Sequence, residues 1–212
     1  MSNKTNKVKY NLRNVHYAPI TADAEGDGFP TYGTPVKWPG AVSLSMEAQG
    51  SISKFYADGI LYWQSAKNNG YEGDLEMALV PDQFRQDCLG EELHEIDKVL
   101  LENATAKTTP FALMFEFEGD ATDTRHVLYN CTASRPSIEG STTEDEKEPN
   151  TESLTISAAA LANGYVKART GAETPDEVAK AWYEKVYIPS DASPVSAKPG
   201  TAVAAVKADR RN

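Results

Sequence analysis

Residues 41–49 alternate apolar Val42, Leu44 and Met46 with polar Ser43, Ser45 and Glu47, the period of two expected of a strand covered on one face. The alternation recurs at 70–80, where Leu75, Met77 and Leu79 share one parity and Glu72, Asp74 and Glu76 the other. That segment is predicted to be a strand with one oily and one acidic face. Between the two, residues 53–56 and 60–65 read as a hairpin, because Asp58-Gly59 supplies positive φ at little cost between aromatic and β-branched residues. Phe111, Leu113, Phe115 and Phe117, then Val127, Tyr129 and Cys131 beyond a Glu118-Gly119-Asp120 turn, predict an antiparallel pair. Residues 8–20 are expected as two short strands or one bulged strand. Leu154, Ile156 and Ala158 open a further strand, which 165–170 is expected to join through Ala162-Asn163-Gly164.

The period changes in two places. After Pro81, Phe84, Cys88 and Leu89 fall at helical spacing with Gly90 beyond them, which predicts a short helix. Thr174-Pro175-Asp176-Glu177 has the composition of a helix start, and Val178, Trp182 and Val186 follow at four-residue spacing, so a second helix is expected to reach about Tyr187. Residues 23–40 are crowded with glycine and proline and read as a loop with a brief extended stretch. Residues 142–149 read as a solvated acidic loop. From Pro189 onward almost no large apolar residue remains, so 190–212 is expected to be a flexible C-terminal tail and 1–189 a single domain. Together these elements predict an α+β, mostly β fold: a sandwich or half-barrel with one short helix packed on it and a C-terminal helix.

Composition narrows the function. The chain has 212 residues, 40% of them hydrophobic and 25% charged, which fits a globular protein and excludes a collagenous or wholly disordered one. Against 31 acidic residues stand 21 basic ones, and the net charge of −10 disfavours a general phosphate-neutralising surface for nucleic acid. No apolar run approaches the roughly 20 residues of a membrane span. The polar start lacks the apolar centre of a signal peptide, so synthesis and residence in the cytoplasm are expected. Two cysteines, Cys88 and Cys131, do not make a disulfide framework and are expected to be free and buried.

The nucleotide-binding, zinc-protease and nucleophile-elbow motifs are missing, so neither a catalytic residue nor a cofactor is expected. His16, His94 and His126 with the two cysteines lack metal-ligand spacing, and no metal is expected. The acids around His94 (Glu91, Glu92, Glu95, Asp97) do not follow a calcium-loop pattern and read as solvated charge. Glu72, Asp74 and Glu76 differ: on one strand face they stand about 7 Å apart and repel one another, so that face must see water. It is either a plain solvent surface or the wall of an aqueous channel. Phe55, Tyr56, Tyr62 and Trp63 leave three uses open: sugar binding, an oligomer interface or core packing.

Several segments resemble the major tail proteins of long-tailed bacteriophages (siphophages) of Gram-positive bacteria. They include Lys7-Val8-Lys9-Tyr10-Asn11-Leu12-Arg13-Asn14-Val15-His16-Tyr17, Pro39-Gly40-Ala41-Val42-Ser43-Leu44-Ser45 and Lys54-Phe55-Tyr56-Ala57-Asp58-Gly59. Asn69-Gly70-Tyr71-Glu72-Gly73-Asp74-Leu75-Glu76, Phe84-Arg85, Leu89-Gly90-Glu91-Glu92 and Arg125-His126-Val127-Leu128-Tyr129-Asn130-Cys131-Thr132-Ala133-Ser134-Arg135-Pro136 resemble the same family. The resemblance runs from about residue 7 to 170. It implies a structural virion protein, not an enzyme, whose copies form hexameric rings stacked into the tail tube through which double-stranded DNA leaves the capsid. It also implies tape measure, tail terminator and distal tail proteins as partners, no membrane, and no specific binding of the passing DNA. Within that role Glu72, Asp74 and Glu76, with Glu116 on a possible neighbouring strand, are the candidate lumen-facing acids. Residues 23–38 and 66–69 are candidates for ordering on assembly. The alternative is a carbohydrate-binding β-sandwich module using Tyr62, Trp63 or Trp38; an enzyme organising His94 or His126 against carboxylates comes third.

Overall fold

The fold is seen in a computed structural model that describes residues 5–26, 28–138, 140, 142 and 149–189. The strands are β1 (Lys9–Glu25), β2 (Phe29–Tyr32), β3 (Val36–Lys37), β4 (Ala41–Ala57), β5 (Ile60–Met77), β6 (Glu92–Leu93) and β7 (Leu100–Leu101). They continue with β8 (Phe111–Gly119), β9 (Thr124–Ala133), β10 (Glu152–Ala158) and β11 (Lys167–Arg169). Helix α1 (Asp82–Leu89) follows β5, and α2 (Asp176–Lys180) runs into a single 3-10 turn, Ala181–Tyr183. The fold is mostly β with two short helices, as expected.

Nine strands form one antiparallel sheet in the order β2-β1-β8-β9-β10-β5-β4, with β3 added to β1 and β11 to β9. β1 is the bulged single strand: its register on β8 slips between Arg13 and His16, where Asn14 takes φ 52°, a left-handed conformation that asparagine tolerates. The glycine- and proline-rich stretch after it is more regular than its composition suggests. Phe29 is buried, so β2 folds back along β1, and Trp38 enters the core with its Nε1–H on the Leu79 carbonyl at 3.0 Å. β11 pairs with β9, not with β10 as its sequence position suggested. Both edges of β10 are already taken by β9 and β5, so the free edge at His126 to Leu128 is the one available.

β8 is central, and this is why it is apolar on both parities. Phe111, Leu113 and Phe115 point to one core cluster and Ala112 and Met114 to the other. The first cluster holds Tyr17, Trp38, Leu75, Met77, Leu154 and Ile156, closed by Phe84, Cys88 and Leu89 of α1. Phe84 stands edge-on to Tyr17 at 4.9 Å and to Phe111 at 5.2 Å. Each such fully buried side chain contributes roughly 1.5–3 kcal/mol. Gly90 ends α1 in the left-handed conformation, φ 76°, the usual glycine stop.

The second cluster lies under the C-terminal segment, where Trp182 and Val186 cover Ala18, Val127 and Tyr129. The helix predicted to reach Tyr187 stops at Lys180. Trp182 donates Nε1–H to the His126 carbonyl at 3.3 Å and stacks on Tyr187 at 5.2 Å; residues five apart do not meet on a continuous helix, so the chain must leave helical geometry to make that stack. One position of the acidic-and-oily strand also departs from its parity. β5 ends at Met77, Leu79 is 66% exposed, and Val80 takes the next buried place. Residues 190–212 and most of the acidic loop at 142–149 lie outside the described residues.

Candidate assembly surface

β4 and β5 form one long hairpin, turned by Asp58 and Gly59 at φ 53° and 75°. β10 accompanies β5 only over Tyr71 to Met77. Beyond that, from Gly50 opposite Asn68 to Ala57 opposite Ile60, the two strands pair, among the described residues, only with each other. At about 3.3 Å per residue this arm extends roughly 25 Å past the sheet. It carries Ile52, Phe55, Tyr56, Ile60, Leu61, Tyr62 and Trp63, all exposed, Tyr62 to 71%. Phe55 lies opposite Trp63 and meets Tyr62 edge-on at 6.4 Å. A two-stranded ribbon has little stability of its own in water, and a contiguous apolar patch marks an interaction surface. β4 is also an edge strand, with main-chain groups open to a partner. Residues 66–69, a candidate for ordering on assembly, are already part of this ribbon.

At the base of the hairpin the parity of Glu72, Asp74 and Glu76 faces away from the core, because Leu75 and Met77 occupy the core side. The acids lie among hydroxyls. Thr155 donates to Asp74 at 2.9 Å, while Ser43 and Thr151 donate to Glu76 at 2.9 and 2.7 Å. Those last two hydrogen bonds, Thr151's foremost, hold the Glu76 carboxyl below its ordinary pKa. The face is thus acidic and hydroxyl-rich, spanning β4, β5 and β10.

Glu116 does not belong to it. β8 is separated from β5 by β9 and β10, and Glu116 is only 2% exposed, on the side of the sheet covered by α2. It accepts from Arg13 Nε at 2.8 Å, Arg125 Nε at 2.9 Å and Asn14 at 3.1 Å. Burial pushes its carboxyl pKa up, but the hydrogen bonds and charges of Arg125 and Arg13 outweigh that and lower it. Arg125 also donates to the Ala179 carbonyl and so ties α2 to this node. The alternation Phe115-Glu116-Phe117 looks the same for a solvent-facing acid as for a buried, paired one; the matching arginines at 13 and 125 were the available signal.

The histidines and cysteines stay apart. Cys88 and Cys131 are free and buried, and burial pushes the Cys131 thiol up to about 12. Among the described residues no three His, Cys, Asp or Glu side chains gather as a metal site would require. His94 is exposed and pairs with Asp97 at 3.1 Å, and His16 stacks on Tyr183 at 4.5 Å. Neither a family model nor a curated protein sequence matches the chain. No helix of the described residues is long and apolar enough to cross a membrane. Trp38, a candidate sugar platform, is in the core and offers no surface.

Proposed function

We propose that this chain is the tail-tube subunit of a long-tailed phage, a structural protein whose copies assemble into stacked rings, with hexameric order as the family resemblance implies. The observation that carries the reading is the β4–β5 arm: an extended ribbon, apolar on its aromatic side chains and open along both edges, that the described residues leave uncovered. A second copy offers its own sheet edges, and pairing of the arm with a different edge of the next copy continues a sheet from one subunit to the next. A heterologous contact that closes gives a ring.

In such a tube the Glu72, Asp74 and Glu76 face is the lumen wall. An acidic, hydroxyl-rich wall gives DNA no phosphate contacts to hold it. The tape measure, tail terminator and distal tail proteins are then the partners at the tube's interior and ends. Replacing Glu72, Asp74 and Glu76 with lysine in phage is expected to leave tails assembled but slow ejection at low salt, with relief at high salt through screening. Normal ejection from assembled mutant particles in low salt would contradict the lumen assignment.

Exposed Tyr62 and Trp63 also suit a carbohydrate module. Electron microscopy of concentrated purified protein separates the two readings: rings or tubes are expected, whereas a small discrete oligomer retained on a glycan column would favour sugar binding.

A further inference from the structure

At the end of the sheet where β1 begins, the first core cluster gives way to a cavity of about 290 Å3 lined by Lys7, Lys9, Phe117, His126 and Arg169. Arg169 and Lys167 stand opposite His126 and Leu128 on β9, and Ala168 between them packs into the second cluster, so both cations lie on the first cluster's side of the sheet. Lys9 Nζ sits 4.5 Å above the Phe117 ring and Lys167 Nζ 4.1 Å above Tyr71. The ion pairs among the described residues involve Arg13, Arg85, His94, Arg125 and Arg135, and none of these four cations. The neighbouring Asp120 accepts the backbone N–H of Lys7 at 2.8 Å. Burial first, then Arg169, Lys167 and Lys9, lowers the His126 pKa to about 4. In a chain of net charge −10, this is a basic, aromatic hollow whose cations lack carboxylate partners.

The opposite chemistry stands on the β6–β7 ribbon. It forms a sheet of its own, closed by His94 N–H on the Val99 carbonyl at 2.8 Å. Leu93, Ile96, Val99 and Leu101 are exposed, Ile96 to 83%. Glu92 and Glu95 beside them are exposed and outside every ion pair of the described residues. The ribbon therefore presents apolar side chains flanked by unpaired carboxylates.

We propose that these two surfaces meet between copies: the β6–β7 ribbon of one subunit, through Glu92, Glu95 and Ile96, docks on the Lys7, Lys9, Phe117 and Arg169 hollow of another. The two complement each other twice over, carboxylate to ammonium and guanidinium, and Ile96 to the Phe117 ring. Different surfaces of the same chain are joined, so the contact is head-to-tail and propagates around a ring or between rings. The contact deepens the tube reading and rests on it, yet it is separate from the β4–β5 arm.

Sedimentation of the full chain over a concentration series at low salt tests it, with thermal melts to confirm folding. A variant carrying Lys9→Glu and Arg169→Glu, and another carrying Glu92→Lys and Glu95→Lys, are each expected to associate at least about tenfold more weakly than wild type, since like charges then face each other. The chain bearing all four changes is expected to recover. Where the reversed variants melt early, Lys9→Gln with Arg169→Gln gives the same reading with a smaller loss. Wild-type association unchanged in both charge pairs, or no recovery in the fourfold variant, overturns this contact and leaves the tube reading standing. A wild-type chain that never associates overturns both.

Discussion

The two halves of β5 both carry large apolar side chains and give them opposite fates. Over Tyr71 to Met77 the strand lies between β4 and β10, and Leu75 and Met77 are fully buried. Over Ile60 to Asn69 it pairs with β4 alone, and Leu61, Tyr62 and Trp63 face solvent. β-propensity operates in both halves, with alternation in the first and a run of four apolar residues in the second, but only the first has a layer to pack against. Propensity forms the ribbon; burial decides whether it is core or contact. Apolar side chains in the arm therefore contribute little to the isolated subunit and act on whatever covers them.

The largest expected contrast follows directly. Leu75→Ala or Leu154→Ala removes a fully buried side chain and should cost about 2–5 kcal/mol in denaturant unfolding. Ile52→Ser or Tyr62→Ser should change subunit stability by less than about 0.5 kcal/mol while preventing assembly. An arm variant that destabilises the monomer as much as a core variant would break the distinction.

Two titratable positions in the body sharpen it through pH. His126, with its folded pKa lowered to about 4, binds its proton more tightly when unfolded. Its contribution is whole above about pH 6.5 and is lost as pH falls from there toward 4, on the order of 2 kcal/mol. His126→Phe should flatten that part of a stability-against-pH curve. Glu116 has a lowered folded pKa, so its stabilisation is present above the ordinary carboxylate range and lost as pH falls through the folded value. Glu116→Gln should cost about 2 kcal/mol at neutral pH, less than a fully buried pair because Arg13 and Arg125 are partly exposed, and should remove the acid end of the curve. A smaller, local effect is expected at the arm's turn, where Gly59→Val forces a β-branched residue to φ 75°; about 1 kcal/mol should be lost locally, raising amide exchange near the tip alone.

What the chain disclosed in advance divides along the same line. Strands with a clean parity, such as β10 and the Leu44 to Met46 stretch of β4, were legible, because period two is the trace that one-sided burial leaves in a sequence; Val42, expected on the same covered face, is 50% exposed. Partner choice was not: nothing local in 165–170 says that both edges of β10 are occupied. Glu116 was misplaced for the same reason, since a single acid in a strand reads as exposed until the arginines at 13 and 125 are brought to it by the fold. Of the lumen candidates, Glu72, Asp74 and Glu76 do share one outward face, and their hydroxyl partners on β4 and β10 became visible only with the register. The aromatic hairpin was legible as a hairpin, but not as an arm reaching beyond its own sheet.

In the tube reading, the β4–β5 arm awaits another copy. Amide hydrogen exchange of the chain, at low concentration and after assembly by concentration, tests it most directly. The expected result is fast exchange along the unpaired edge of residues 50–57 in the free subunit, strong protection there after assembly, and little change in β8 and β9. Assembled particles in which those amides exchange as fast as in the free chain would contradict it.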